Sequence, residues 1–120
     1  MFGFNKNNVI TIDINDAYKE YLKEENKIII LNVDELVDYD ERHIEGAENL
    51  PVRLAKSIED YFPEKDKKYY VYSLKKGAAY HVVKIILKKG YDAYLLSDYT
   101  FFKGDEEGLS VKKKRRKKRC

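Results

Sequence analysis

Residues 69–90, YYVYSLKKGAAYHVVKIILKKG, admit few arrangements. Tyr69 to Tyr72 surround Val71 with strong β-formers and run straight into a turn signal. From Ala79 the apolar positions Val82, Val83, Ile86 and Leu87 follow the spacing of one helix face. Gly90 stands where a helix-ending glycine belongs, behind Lys84, Lys88 and Lys89 in the last turns. The stretch therefore predicts a buried strand, a short loop and a helix. The loop, Ser73-Leu74-Lys75-Lys76-Gly77, ends at the helix N-terminus. Unpaired backbone N–H groups and the positive end of the helix dipole meet there, a setting suited to an anion or a nucleophile of lowered pKa.

The flanking segments alternate in the same way. Val9 to Ile14 reads as a short strand, with Asn15 or Asp16 capping a helix through Ala17, Tyr18, Tyr21 and Leu22. The run KIIILNV, Lys27 to Val33, is apolar without interruption, as expected of a parallel strand covered on both faces. Asp34 caps a short helix ELVDYDE with Leu36, Val37 and Tyr39 turned inward, and a short strand follows within Ala47 to Leu50. Leu54 to Tyr61 reads as a helix and Ala93 to Leu96 as a strand. Ser97 or Asp98 caps a last short helix through Phe101 and Phe102, ended by Gly104. Strands alternating with helices define an α/β domain with a mainly parallel sheet, whose ligands lie beyond the carboxyl ends of the strands. Ser73 occupies such an end.

At 120 residues the chain suits one domain, and its apolar runs suffice for a core without staples. No stretch reaches the length of a membrane span, and MFGFNKNN lacks a signal-peptide core. Cys120 is the single cysteine, so neither an internal disulfide nor a thiolate metal cluster is expected, and a reducing cytoplasm fits. His43 and His81 lack metal-ligand spacing, and nothing in the sequence calls for a cofactor. Residues 112–119, KKKRRKKR, hold eight of the 24 basic side chains, leaving 16 against 21 acidic groups elsewhere. The body is thus mildly acidic, and the basicity belongs to the end. Residues 105–120 read as a polar, then polybasic, disordered tail after a body of residues 1–104.

Two segments carry a family resemblance. LNVDELVDYDERHIEGAENLP resembles the rhodanese stretch in which an L-D-V-R strand precedes G-H-I-P-G-A-x-N-I-P, keeping Leu31, Val33, Tyr39, His43, Ile44, Gly46, Ala47, Asn49 and Pro51. VYSLKKGAAYHVVKIILKKGYDAYLL resembles that family's V-Y-C-x-x-G-x-R-S loop, its helix and the G-Y-x-x-V-x-x-L strand. The resemblance covers roughly residues 9–104. It implies a rhodanese-like fold, a mostly parallel five-stranded sheet flanked by helices, and a sulfurtransferase ancestry.

The departures fall on the chemistry. Ser73 aligns with the catalytic cysteine and Ala78 with the loop arginine, while Asn32 and Asp34 replace the aspartate and arginine of the strand. Arg42 replaces the glycine before His-Ile, and SDYTFFKGD keeps only an echo of G-G-x-x-x-W. Rhodanese chemistry stores sulfur as a cysteine persulfide and needs a thiolate, which serine cannot supply. A serine nucleophile needs an adjacent base. His81 shares the polar helix face with Lys84 and Lys88, and His43 belongs to the family's structural string. The expected protein is therefore a rhodanese-like binding or regulatory module without sulfurtransferase activity. Two alternatives remain open. Ser73, Leu74, Lys75, Lys76, Gly77 and Ala78 can cradle a small anionic sulfur or phosphate compound, or meet a partner protein. The basic residues Lys112, Lys113, Lys114, Arg115, Arg116, Lys117, Lys118 and Arg119 can contact nucleic acid without sequence specificity, or an anionic membrane. The blander expectation is that the run does little. Asp34, Glu35, Asp38, Asp40 and Glu41 lack the glycine turn of a calcium loop and read as a solvated helix face.

Overall fold

The computed structural model describes residues 8–75 and 77–111. In chain order they form β1 (Thr11–Ile12), α1 (Ile14–Lys23), β2 (Ile28–Asn32), α2 (Leu36–Glu41), β3 (His43–Ile44) and β4 (Glu48–Asn49). A 3-10 helix (Val52–Asp60) follows, then β5 (Lys68–Tyr72), α3 (Ala78–Lys88), β6 (Asp92–Leu96), a 3-10 turn (Tyr99–Phe101) and β7 (Glu106–Glu107). Five strands make one sheet in the order β1-β6-β5-β2-β4, and every pairing in it is parallel. Strands β3 and β7 form a separate antiparallel pair.

The central strands carry the fold. Ile28, Ile30 and Leu31 of β2 and Tyr69, Tyr70, Val71 and Tyr72 of β5 are buried, so both faces of the sheet are covered. On one face Val82, Val83 and Ile86 of α3 join Ala55 and Ile58 over Leu31, Tyr69 and Val71. On the other, Ile14, Ala17 and Tyr18 of α1 join Tyr99 over Ile30, Tyr70 and Tyr72. Most of the tyrosines serve this core, with hydroxyls at its rim: Tyr91 donates to the Phe62 carbonyl at 2.7 Å and Tyr70 to Glu20 at 2.5 Å. Helix α3 ends as expected. Gly90 has φ +94°, and the Tyr91 N–H donates to the Ile86 carbonyl at 3.1 Å.

Several local expectations are corrected. Strand β1 is only two residues long because Asp13, rather than Asn15 or Asp16, caps α1, accepting from the N–H groups of Asn15 (3.1 Å) and Asp16 (3.0 Å). Asn15 instead ties down the far end of the fold, donating to the Phe101 carbonyl and accepting from the Lys103 N–H. Asp34 caps nothing; α2 begins at Leu36. Leu36 and Val37 point outward, 55% and 73% exposed, and Tyr39 alone of the three turns in, its hydroxyl donating to the Ala47 carbonyl at 2.5 Å. The 54–61 segment is a 3-10 helix interrupted at Ser57 (φ −108°, ψ 24°) rather than a regular α-helix.

The largest correction concerns residues 105–111, assigned from sequence to a tail. Glu107 lies opposite His43 and Glu106 opposite Ile44 in the β3–β7 pair. The buried His43 ring stacks on Tyr39 at 3.7 Å, bonds the Tyr39 carbonyl at 2.6 Å through Nδ1 and reaches Glu107 at 3.2 Å through Nε2. The expected structural role for His43 holds. Gly108, at φ +136°, passes so near the Glu41 carbonyl that a Cβ would stand 2.4 Å from its oxygen. The basic run 112–119 and Cys120 lie outside the described residues. No helix among the described residues is long and apolar enough to cross a membrane.

Candidate functional site

The strand–loop–helix unit forms as the spacing predicts. Ser73 follows β5 directly, half-buried, and Ala78 is the first residue of α3. Gly77 caps the helix at φ +88° and supplies no side-chain acceptor, so the first-turn N–H groups lack a side-chain cap. A side chain at Gly77 would be strained by φ alone, since nothing stands within 4 Å of a Cβ there. Leu74 and Lys75 are exposed, and Lys76 lies outside the described residues.

The loop borders a cleft of about 340 Å³. Its floor and rim include Thr11, Ser73, Lys75, Tyr80, Ser97 and Asp98. Ser97 and Asp98 follow β6 and Thr11 belongs to β1, so the cleft opens beyond the carboxyl ends of β5 and β6, where a parallel sheet places ligands. Several polar groups are already engaged. Ser97 Oγ accepts from the Ile14 N–H at 2.9 Å, and Asp98 accepts from the N–H and hydroxyl of Thr100, both at 2.9 Å. Ser73 Oγ donates to the Lys75 carbonyl at 2.5 Å, a contact inside the loop. His81 is exposed on α3, and neither it nor His43 makes a hydrogen bond to Ser73.

A polar network beside the loop escaped the sequence reading. Asp34 is 4% exposed and its two carboxylate oxygens face the Leu74 N–H at 3.2 and 3.0 Å. Asn32, fully buried, donates to Asp34 from Nδ2 at 3.1 Å and accepts from the Asp34 N–H at 2.9 Å. Asn49 closes the group, donating from Nδ2 to the Asn32 side chain at 3.1 Å and to the Asp34 carbonyl at 2.9 Å. A buried carboxylate of the protein thus occupies a loop amide. The one signal was Asn32 interrupting KIIILNV: a buried amide needs partners, and Asp34 two residues on supplies them.

Burial pushes the Asp34 carboxyl above its ordinary range, against the lowering effect of the Leu74 N–H and Asn32 amide. With the folded-state value raised, the stability it supports is complete below the ordinary carboxylate pKa and is lost as pH rises through the raised one. Asp34→Asn, which keeps an acceptor for Leu74, should therefore be at least as stable as wild type at pH 7. It should also lose less stability between pH 4 and pH 7. Thermal melts across that range check this, and a variant less stable at pH 7 than at pH 4 by the wild-type margin contradicts it. Among the described residues no group of three His, Cys, Asp or Glu side chains is placed to hold a metal ion.

An all-parallel five-stranded sheet with a loop running into a helix N-terminus at the carboxyl end of its middle strand defines an α/β domain of sulfurtransferase-like architecture. A family model, the rhodanese-like domain, matches residues 8–98. The chain belongs to the rhodanese-like domain family. Comparison with curated proteins gave no match. Among solved structures it is similar to the BH2092 protein of Bacillus halodurans, with 20% identity over 84% of this chain and 78% of that one, and a TM-score of 0.73. A full-length protein of Lactobacillus plantarum has 22% identity over 83% and 88% of the two chains, with a TM-score of 0.69. A rhodanese with anions from E. coli has 19% identity over 68% and 99%, with a TM-score of 0.60. At these identities the likeness is one of fold.

Proposed function

We propose that this protein is a rhodanese-like binding or regulatory module without sulfurtransferase activity. The carrying observation is Ser73 at the end of β5, its hydroxyl donating to the Lys75 carbonyl rather than to a base. A serine oxygen there offers neither a thiolate nor a persulfide. The Asp34 carboxylate on the Leu74 N–H supports the same reading, because negative charge already sits where an anionic sulfur would need donors. With thiosulfate as donor and cyanide as acceptor, thiocyanate formation should stay at the rate without protein. Turnover that disappears in Ser73→Ala would overturn the proposal.

A second reading is favoured by the cleft itself. Its position at an α3 N-terminus without a side-chain cap, with Lys75 on the rim, suits a small oxyanion or sulfur anion. The E. coli relative is a rhodanese with anions. Thermal shifts with thiosulfate, sulfate and phosphate test this reading, and no shift at millimolar ligand removes it.

A further inference from the structure

Helix α2 has no buried residue, unlike α1 and α3. Its outer surface has a pattern. Leu36 and Val37 are exposed, and Asp40 and Glu41 lie four residues on, so each apolar side chain shares a face with a carboxylate. The last turn holds no basic residue, although the helix dipole places negative charge there. Nearby cations are spent elsewhere: Arg42 pairs with Glu106 at 3.7 Å and Arg53 with Glu35 at 3.2 Å. Among the described residues, Asp38, Asp40 and Glu41 take no ion pair.

The described chain ends against this helix. The Leu109 N–H donates to the Asp40 carbonyl at 2.9 Å, and the Ser110 N–H and hydroxyl donate to the Glu41 carbonyl at 3.0 and 2.9 Å. Two residues beyond Ser110 begins KKKRRKKR. We propose that the basic run 112–119 docks on the outer face of α2 in its own molecule, with lysine and arginine stems over Leu36 and Val37 and their charged ends on Asp38, Asp40 and Glu41. Three features name this occupant. Opposite charge is matched, the stems of long basic side chains cover apolar surface, and the six-residue helix is about 9 Å long against about 26 Å for eight extended residues. Because the run is tethered at the helix end, its effective concentration is on the order of millimolar, enough to sustain contacts that are individually weak. Docked cations are withheld from other anions, so a nucleic acid or an anionic membrane competes with α2 for them.

The test uses full-length protein and the amide NMR signals of Leu36–Glu41 and Leu109–Val111. Wild type is compared with a full-length variant carrying glutamine at all eight basic positions of 112–119. At low salt the α2 signals should differ between the two, and the difference should collapse at about 0.5 M salt, where screening is short-ranged. Asp40→Asn with Glu41→Gln should abolish the same difference. Identical α2 signals at low salt would overturn the proposal. So would a difference that grows with protein concentration, which would assign the face to a second copy.

Discussion

Tyr72→Ala should lower unfolding free energy by about 3–5 kcal/mol, the usual range for deleting a buried aromatic. Tyr72 is 1% exposed, its ring stacks on Tyr99 at 5.2 Å, and its hydroxyl accepts from the Ile44 N–H at 2.9 Å. Burial pushes that hydroxyl far above the ordinary tyrosine pKa, so it stays neutral at any pH the protein meets. One side chain thus joins the core under β5 to β3, and through β3 to the β7 strap. Tyr72→Phe separates the two contributions. The ring stays, the Ile44 N–H is left buried without its partner, and the expected cost falls to about 1–3 kcal/mol. Urea unfolding of both variants measures this. A Tyr72→Phe variant indistinguishable from wild type would mean that the bond to Ile44 contributes nothing. A domain of this size is stable by only about 5–15 kcal/mol, so the alanine variant should be close to unfolding.

The architecture was legible where period and burial agree. The apolar run at 28–33 and the pattern of Val82, Val83 and Ile86 admit one reading each, and the sheet is built from them. Legibility failed where a short polar side chain chose among near neighbours. Asp13, Asn15 and Asp16 can each cap a helix; the winner was decided by Ile14, whose full burial puts the first helical turn one residue before Asn15. Leu36 and Val37 look like core residues by type, yet α2 touches the body mainly through Tyr39, a fact of tertiary placement that no local pattern carries. Glu106 and Glu107 read as tail because a two-residue strand has no period. Their order comes from partners more than sixty residues earlier, His43 and Arg42. The loop was placed correctly, but not the carboxylate against it, because Asp34 looks like an ordinary helix cap until Leu74 is brought beside it.

That carboxylate decides the second expectation. Ser73→Cys, made in a Cys120→Ser background, should give no thiosulfate:cyanide turnover above the rate without protein. Two influences compete for the introduced thiol. The α3 N-terminus and the exposed Lys75 favour a thiolate, the first as a fraction of a charge and the second screened by water. Asp34 is a buried full charge bonded to the very next backbone N–H, and it opposes a second anion. The nearer, less screened group should win. The thiol should titrate at or above the ordinary value of about 8.5, leaving a few per cent thiolate at pH 7. Adding Asp34→Asn should lower it by about one unit, because the opposing charge leaves while the acceptor remains. Thiolate absorbance followed against pH reads both values, and wild type with Cys120→Ser supplies the blank. A thiol already well below 8.5 with Asp34 intact would show that the helix terminus outweighs the carboxylate. Sulfur transfer by the single substitution would then place the missing activity in the Ser73 atom alone.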